Sequence, residues 1–432
     1  ETYSYLFKIN AYGIPEHLHF GAPVQTEDAD ALSCRPGLGW GCSILLDAEN
    51  TASSLDTMML EWSGSGRGDY RESPLELAGQ PADFRYEGFE ILEGAVPIVC
   101  SLPQSHGAEQ TLVITLAQKG AKLQLFYSAY PTAVVRRSVL TNTGEEPICV
   151  NKLMSFNLDL PGSFTMATFN GSWIAEMHRT DTVVAESKVV NESLTGSSSN
   201  RHNPGFLLFE PDATETAGRV YGFNLVYSGN FRAQAELDHL DSLRLTMGIH
   251  PDGFQWLLEP GARFDTPEAV LVYSGKGIGA MTRTFHDLYR EHLIRSPYLH
   301  RERPILINNW EATYFNFDEE KLVSIAREAK KTGIEMLVMD DGWFGHRDND
   351  ESSLGDWFVN QKKLPGGLKQ LADKINAEGI QFGIWMEPEM VSPDSDLYRA
   401  HPDWRLHIPG REDITARHQL VLDMGRREVQ DF

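Results

Sequence analysis

The chain has 432 residues, more than one hydrophobic core accommodates, so two to four domains are expected. Its formal net charge is −23, from 61 acidic and 38 basic residues. A surface this acidic repels nucleic acid and anionic lipid, whereas a neutral ligand feels no such penalty. The aromatic content (9 Trp, 21 Phe, 14 Tyr) excludes wholesale disorder. No apolar run approaches the ~20 residues that a bilayer span requires.

Residues 1–277 read as β structure. Short runs alternate apolar and polar residues, as in Thr111-Leu-Val-Ile-Thr-Leu and Lys122-Leu-Gln-Leu-Phe-Tyr. Turn residues separate them at Asn142-Thr-Gly, Pro161-Gly-Ser, Pro251-Asp-Gly and Pro260-Gly. This spacing predicts a large β-sandwich. The run Trp62-Ser-Gly-Ser-Gly-Arg-Gly-Asp-Tyr-Arg is either a flexible hairpin tip or a loop built to reach a ligand. His17-Leu-His19 lies on an alternating strand, and no further ligand spacing supports a metal there. The four cysteines, Cys34, Cys42, Cys100 and Cys149, form no C-x-x-C pair, so no zinc or redox motif is indicated. Free thiols of a cytoplasmic protein are expected, with a disulfide as the alternative. No signal peptide is visible, although a removed leader would go unseen in a chain that starts at Glu1, and secretion stays open. Asn170-Gly-Ser and Asn191-Glu-Ser match the glycosylation sequon, which chance often supplies.

Over residues 278–303 the period changes. Met281, Phe285, Leu288 and Tyr289 share one helical face, predicting a connecting helix. From Pro304 to residue 432 strands and helices alternate. Strands are expected at Ile305–Asn309, Ile334–Met339 and Ile380–Trp385. Between them, one helix starts at a capping Asp318 and ends at Gly333, and a second carries Leu368, Leu371, Ala372 and Ile375 and ends at Gly379. This alternation means a parallel sheet, doubly wound or part of a (β/α)8 barrel. No Gly-rich phosphate loop follows the first strand, which argues against a dinucleotide site. A full barrel needs roughly 250 residues, so only its first part is expected here, with the natural protein continuing past Phe432.

Each of these strands runs into polar and aromatic residues: Asn308-Asn-Trp-Glu, Asp340-Asp-Gly-Trp-Phe and Trp385-Met-Glu-Pro-Glu-Met. Barrel enzymes place their active sites at such strand ends. Asp340 and Asp341 could accept hydrogen bonds from sugar hydroxyls. Trp343 and Phe344 beside them, and Trp310 and Trp385 on the other strands, could stack on a pyranose ring. Glu387 and Glu389 are candidates for general acid and base, or for bracing of loops. Arg417 could hold a ring hydroxyl or form a plain salt bridge. Asp348-Asn-Asp-Glu lacks the glycine of a calcium loop, since Ser353 stands at that position.

The runs Asn308-Asn-Trp-Glu-Ala-Thr-Tyr-Phe, Met339-Asp-Asp-Gly-Trp-Phe-Gly, Leu354-Gly-Asp-Trp, Lys363-Leu-Pro-Gly-Gly-Leu, Phe382-Gly-Ile-Trp-Met-Glu-Pro-Glu-Met-Val and Arg417-His-Gln-Leu-Val-Leu-Asp occur in this order. In them the sequence resembles the α-galactosidases of glycoside hydrolase family 36. The resemblance implies an N-terminal β-supersandwich before a (β/α)8 TIM barrel, and retaining hydrolysis of terminal α-galactosyl groups of melibiose and raffinose type. It implies α-galactosides as partners, no cofactor or metal, and a bacterial cytoplasmic homotetramer. It implies substrate-binding roles for Trp310, Asp340, Asp341, Trp385 and Arg417. It also implies that Asp69 lines a neighbouring subunit's site. Glu387 and Glu389 become bracing residues. The family's Lys-Trp-Asp nucleophile motif and its later acid/base Asp do not occur in this sequence, so no catalytic residue is assigned within it and the 432 residues alone are expected to be inactive. Retaining chemistry needs two carboxyl groups about 5–5.5 Å apart. The alternatives are a non-catalytic carbohydrate-binding protein and a related transglycosylase that builds raffinose-type oligosaccharides.

Overall fold

The computed structural model describes residues 2–33, 35, 44–198 and 200–432; Cys34 and Cys42 lie outside the described residues. The chain falls into two compact units, Glu1–Ser296 and Pro297–Phe432.

The first unit is an antiparallel sandwich of a ten-stranded and a six-stranded sheet. The alternating runs read from the sequence lie in strands Gln110–Gln118 and Ala121–Tyr130, which form a hairpin with Ala133–Asn142. The smaller sheet centres on the long strand Ile148–Pro161 and its neighbour Ser242–Ile249. Two apolar clusters fill the sandwich. One contains Phe156, Phe206, Phe223 and Phe231, the other Leu75, Leu123, Leu140 and Val150. The expected connecting helix exists, at Gly277–His292, but it is no free connector. Ile278, Met281, Phe285 and Leu288 are buried with Val270 and Val272, so the helix belongs to the sandwich unit and the division falls at Ser296.

Buried charges cross this core in pairs. Glu61 accepts hydrogen bonds from Tyr5 and Tyr127 and pairs with Arg136 at 3.0 Å. His17 Nδ1 lies 2.6 Å from Glu61 Oε1, so the first histidine of His17-Leu-His19 is engaged inside the core. Asn191 is likewise buried and donates to the Asn203 and Gly205 carbonyls, a position no glycan could reach.

The glycine-rich run after Trp62 is neither a free tip nor an outward carboxylate. Gly68 adopts φ +86° at the end of a short turn, a conformation that favours glycine. The turn directs Asp69 inward and leaves Tyr70 82% exposed. Asp69 pairs with Arg71 at 3.0 Å and Arg244 at 2.8 Å and accepts from Ser63. Within its own unit this carboxylate is held by Ser63, Arg71 and Arg244. Burial pushes the Asp69 carboxyl up, but Arg244 and Arg71 outweigh it and hold it at about 2. The folded pKa is below the unfolded value near 4, so the stabilisation is complete above pH 4 and is lost as pH falls towards 2. It amounts to about 2 kcal/mol. Asp69→Asn is expected to flatten the dependence of unfolding free energy on pH between 4 and 2, as read by urea titration; an unchanged slope would refute the assignment.

The second unit holds three parallel strands, Leu306–Asn308, Met336–Met339 and Gln381–Ile384, in sequence order. Asp318 caps the helix Glu319–Lys331 by accepting from the Lys321 N–H at 2.9 Å. Gly333 beyond it takes φ +86°. The helix Gly367–Ala377 follows the second strand. The two helices touch through Arg327–Glu378 and Lys374–Glu319, so both cover one face of the sheet. Unreversed strand order with helices on a single face is the layout of a (β/α)8 barrel rather than of a doubly wound sheet. Leu322, Ala326, Leu337, Met339, Leu371 and Ile375 form the core between sheet and helices. No described helix is long and apolar enough to cross a membrane.

Candidate functional site

The site lies where the three strands end. The second strand stops at Met339, which frees the two aspartates from strand alternation. The Asp340 N–H donates to Asn309 Oδ1 at 2.8 Å, and its carboxylate accepts from Asn308 Nδ2 at 2.5 Å. Asn308 Oδ1 in turn accepts from the Trp310 N–H at 2.7 Å, which ties the first strand end to the second. Asn309 is fully buried and donates to Thr313.

Asp341 points the other way and is 2% exposed. Arg347, itself fully buried, grips it in a bidentate pair at 2.9 and 2.7 Å and donates its remaining Nη1 to the Ser352 carbonyl. Lys363 completes the frame. Its ammonium donates to the carbonyls of Phe315, Gly342 and Arg347 at 2.9–3.0 Å and pairs with Asp348. Gly342 turns between the aspartates and this frame at φ +102°, where an added Cβ would come within 3.0 Å of Phe315. The Asp348-Asn-Asp-Glu run thus supplies a partner for Lys363. Among the described residues no group of three or more His, Cys, Asp or Glu could hold a metal ion.

Trp310 is half-buried, edge-on to Tyr314 and Phe315. Trp385 is half-buried, and its N–H donates to the Met339 carbonyl. Trp343 and Phe344 are not sugar-facing aromatics. They are 3% and 0% exposed in the unit's core, and the Trp343 indole donates to the Trp385 carbonyl. Their expected stacking role is corrected on that ground: they form the wall behind the site.

Arg417 and His418 occupy the two central positions of a tight turn closed by reciprocal Ala416–Gln419 backbone bonds. Both have positive φ, 52° and 59°, a strain that residues other than glycine rarely carry. The turn holds the Arg417 guanidinium 3.8 Å from Glu387. One oxygen of the Glu387 carboxyl, Oε1, faces Arg417, and the other, Oε2, is buried with no hydrogen-bond partner. Burial pushes the Glu387 carboxyl up, aided by the neighbouring Glu389, while Arg417 opposes the shift. The Glu389 side chain is exposed, and the bracing here comes from its backbone carbonyl, which accepts from Leu422.

Residues 13–259 match the glycosyl hydrolase family 36 N-terminal domain, and residues 263–432 match the Melibiase family. The chain belongs to glycoside hydrolase family 36. It is 42% identical to the α-galactosidase AgaA of Geobacillus stearothermophilus over 99% of this chain and 60% of that protein. It is 38% identical to the α-galactosidase Mel36A of Lactobacillus acidophilus, with the same coverage. The crystal structure of an AgaA variant in complex with raffinose superposes with a TM-score of 0.95, over all of this chain and 61% of that one. The α-galactosidase from Lactobacillus brevis gives 0.95 at 38% identity, over 59% of its chain. The family 36 chain described here therefore spans about 60% of the length of these curated relatives.

Arg347, Lys363 and the Asn308–Asn309 pair were not among the residues singled out as ligands from the sequence. Lys363 stands in one of the family runs, a signal that could have marked it. Arg347 has no such cue, since only the turn at Gly342 brings it back onto Asp341.

Proposed function

We propose that the protein is an α-galactosidase that hydrolyses terminal α-D-galactosyl residues of melibiose- and raffinose-type sugars with retention. The observation that carries this reading is the strand-end group: one outward carboxylate (Asp340), one framed carboxylate (Asp341), two half-buried tryptophans and a turn-mounted arginine. Carboxylates accept from the hydroxyl side of a sugar, while Trp310 and Trp385 offer faces to its C–H side. Arg417 donates to a hydroxyl. None of these groups is assigned the nucleophile or the acid/base role; they bind and orient the galactosyl ring.

The relatives carry the α-galactosidase name, and the AgaA structures include raffinose and stachyose complexes. We extend that substrate class to this protein, together with a cytoplasmic location and a homotetrameric state. The exposed free thiol of Cys100 suits a reducing compartment. The natural protein is expected to cleave p-nitrophenyl α-galactoside, with proton NMR showing α-galactose as the first product. An inverted first product would overturn the retaining mechanism; binding of raffinose without turnover would identify a carbohydrate-binding protein instead.

A further inference from the structure

Glu387 carries a carboxyl group that its own surroundings do not satisfy. It follows the third strand, Gln381–Ile384, and its side chain is 19% exposed. Among the described residues Oε2 has no hydrogen-bond partner, although it is buried. A buried acceptor without a donor destabilises a fold, and more so when it belongs to a carboxylate. Burial raises the pKa of this carboxyl, Glu389 and Asp341 add to the rise, and Arg417 and Arg347 oppose it. A carboxylate that only braces loops looks different. Asp356, 4% exposed, accepts from the Asp396 and Leu397 N–H groups at 3.1 Å.

Arg417 has the complementary peculiarity. Its backbone sits at φ +52° in the turn closed by Ala416 and Gln419, and its side chain is 55% exposed. Among the described residues the guanidinium pairs with no carboxylate but Glu387, at 3.8 Å. A guanidinium has five N–H donors, so most of them are left over for another acceptor. A long side chain on an exposed turn samples many rotamers, and one fixed charge decides where it rests. No nearby acid can take that place. Asp341 is held in the bidentate grip of Arg347, and Asp340 accepts from Asn308. Backbone strain of the kind seen at Arg417 clusters at functional sites, where the surrounding structure enforces it.

We infer that Glu387 is a positioning residue: its carboxylate holds the Arg417 guanidinium at the end of the third strand, with the remaining N–H groups directed at the sugar. The inference rests on the sugar-binding role proposed for Arg417. It gives Glu387 no part in proton transfer or bond making. Binding gains what stability loses, because the arrangement keeps an unmet oxygen buried.

Glu387→Gln and Arg417→Ala, singly and together, test this in the natural protein. The readouts are KM and kcat for p-nitrophenyl α-galactoside, the inhibition constant of free galactose, and the thermal unfolding midpoint. Glu387→Gln keeps the shape and removes the charge. It is expected to raise KM and the galactose constant about ten-fold while kcat changes less than about three-fold, the pattern of lost ring binding. Its unfolding midpoint is expected to match or exceed that of the wild type, because a buried charge is gone. In the Arg417→Ala background the same substitution is expected to move neither constant by more than about two-fold, since the group it positions is absent. Glu387→Asp keeps the charge on a shorter stem and is expected to bind galactose better than Glu387→Gln. A galactose constant unmoved by Glu387→Gln would leave the residue a structural brace and overturn the inference. So would equal fold-changes in the two backgrounds, or a Glu387→Asp protein that binds no better than Glu387→Gln. Arg417→Ala with unchanged KM and galactose constant would overturn the sugar-binding role of Arg417 itself, and the inference with it.

Discussion

Arg347→Ala is expected to destabilise the protein by about 3–5 kcal/mol, because it leaves a buried carboxylate without its counter-charge. The side chains of Arg347 and Asp341 are 0% and 3% exposed, and the guanidinium makes four hydrogen bonds that water cannot replace in the closed core. Arg347→Lys is expected to recover only part of the loss. A lysine can place one charge near Asp341 but cannot reproduce the bidentate fork or reach the Ser352 carbonyl at the same time. Urea unfolding of the three proteins measures the effect. A loss below about 1 kcal/mol for Arg347→Ala would show that Asp341 finds other partners, and that the frame is not what orients it.

The second large effect is kinetic. Asp340→Ala in the natural protein is expected to lower kcat/KM for p-nitrophenyl α-galactoside by about 10²–10³, the cost of losing one or two charge-assisted hydrogen bonds to the sugar. Its stability should barely move, because Asp340 is half-exposed and hydrogen-bonded at one edge of the site. Asp341→Ala is expected to fail on both counts. It removes a carboxylate from the sugar site and strands the buried Arg347 charge. The two neighbours are therefore separable: Asp340 by kinetics without unfolding, Asp341 by both. Normal turnover in Asp340→Ala would remove that residue from the site, and equal stability losses in the two variants would contradict the division of roles.

The aspartates show what residue spacing can and cannot say. Adjacent residues in a strand face opposite sides, and from the sequence it was open whether the strand would end between them. The end at Met339 leaves the Asp340 carboxylate half-exposed and the Asp341 carboxylate buried against Arg347. Trp343 and Phe344 looked equal to Trp310 and Trp385 as stacking platforms, since all four are aromatic residues at or just beyond strand ends. Burial separates them: the first two lie in the core behind the site. Asp69 sits in a glycine-rich run that looked like a reaching loop, yet its carboxylate turns inward to Arg71 and Arg244, partners 2 and 175 residues away in sequence.

By itself the sequence determined the period-2 sandwich, the barrel grammar, the caps at Asp318 and Gly333, and the runs that place the chain in family 36. These are local properties: side-chain alternation, capping and turn residues act within a few positions of themselves, so a linear reading captures them. Only the tertiary structure decided which strand-end residues stay open and which face the core, because that depends on long-range partners. Arg347 reaches Asp341 through the turn at Gly342, Lys363 gathers three carbonyls from two segments, and Arg417 meets Glu387 only once residues 387 and 417 are folded together. The helix at Gly277–His292 follows the same rule. Its apolar face was legible as a pattern, but that the face closes the sandwich rather than bridging two domains was settled by Val270 and Val272, which bury it.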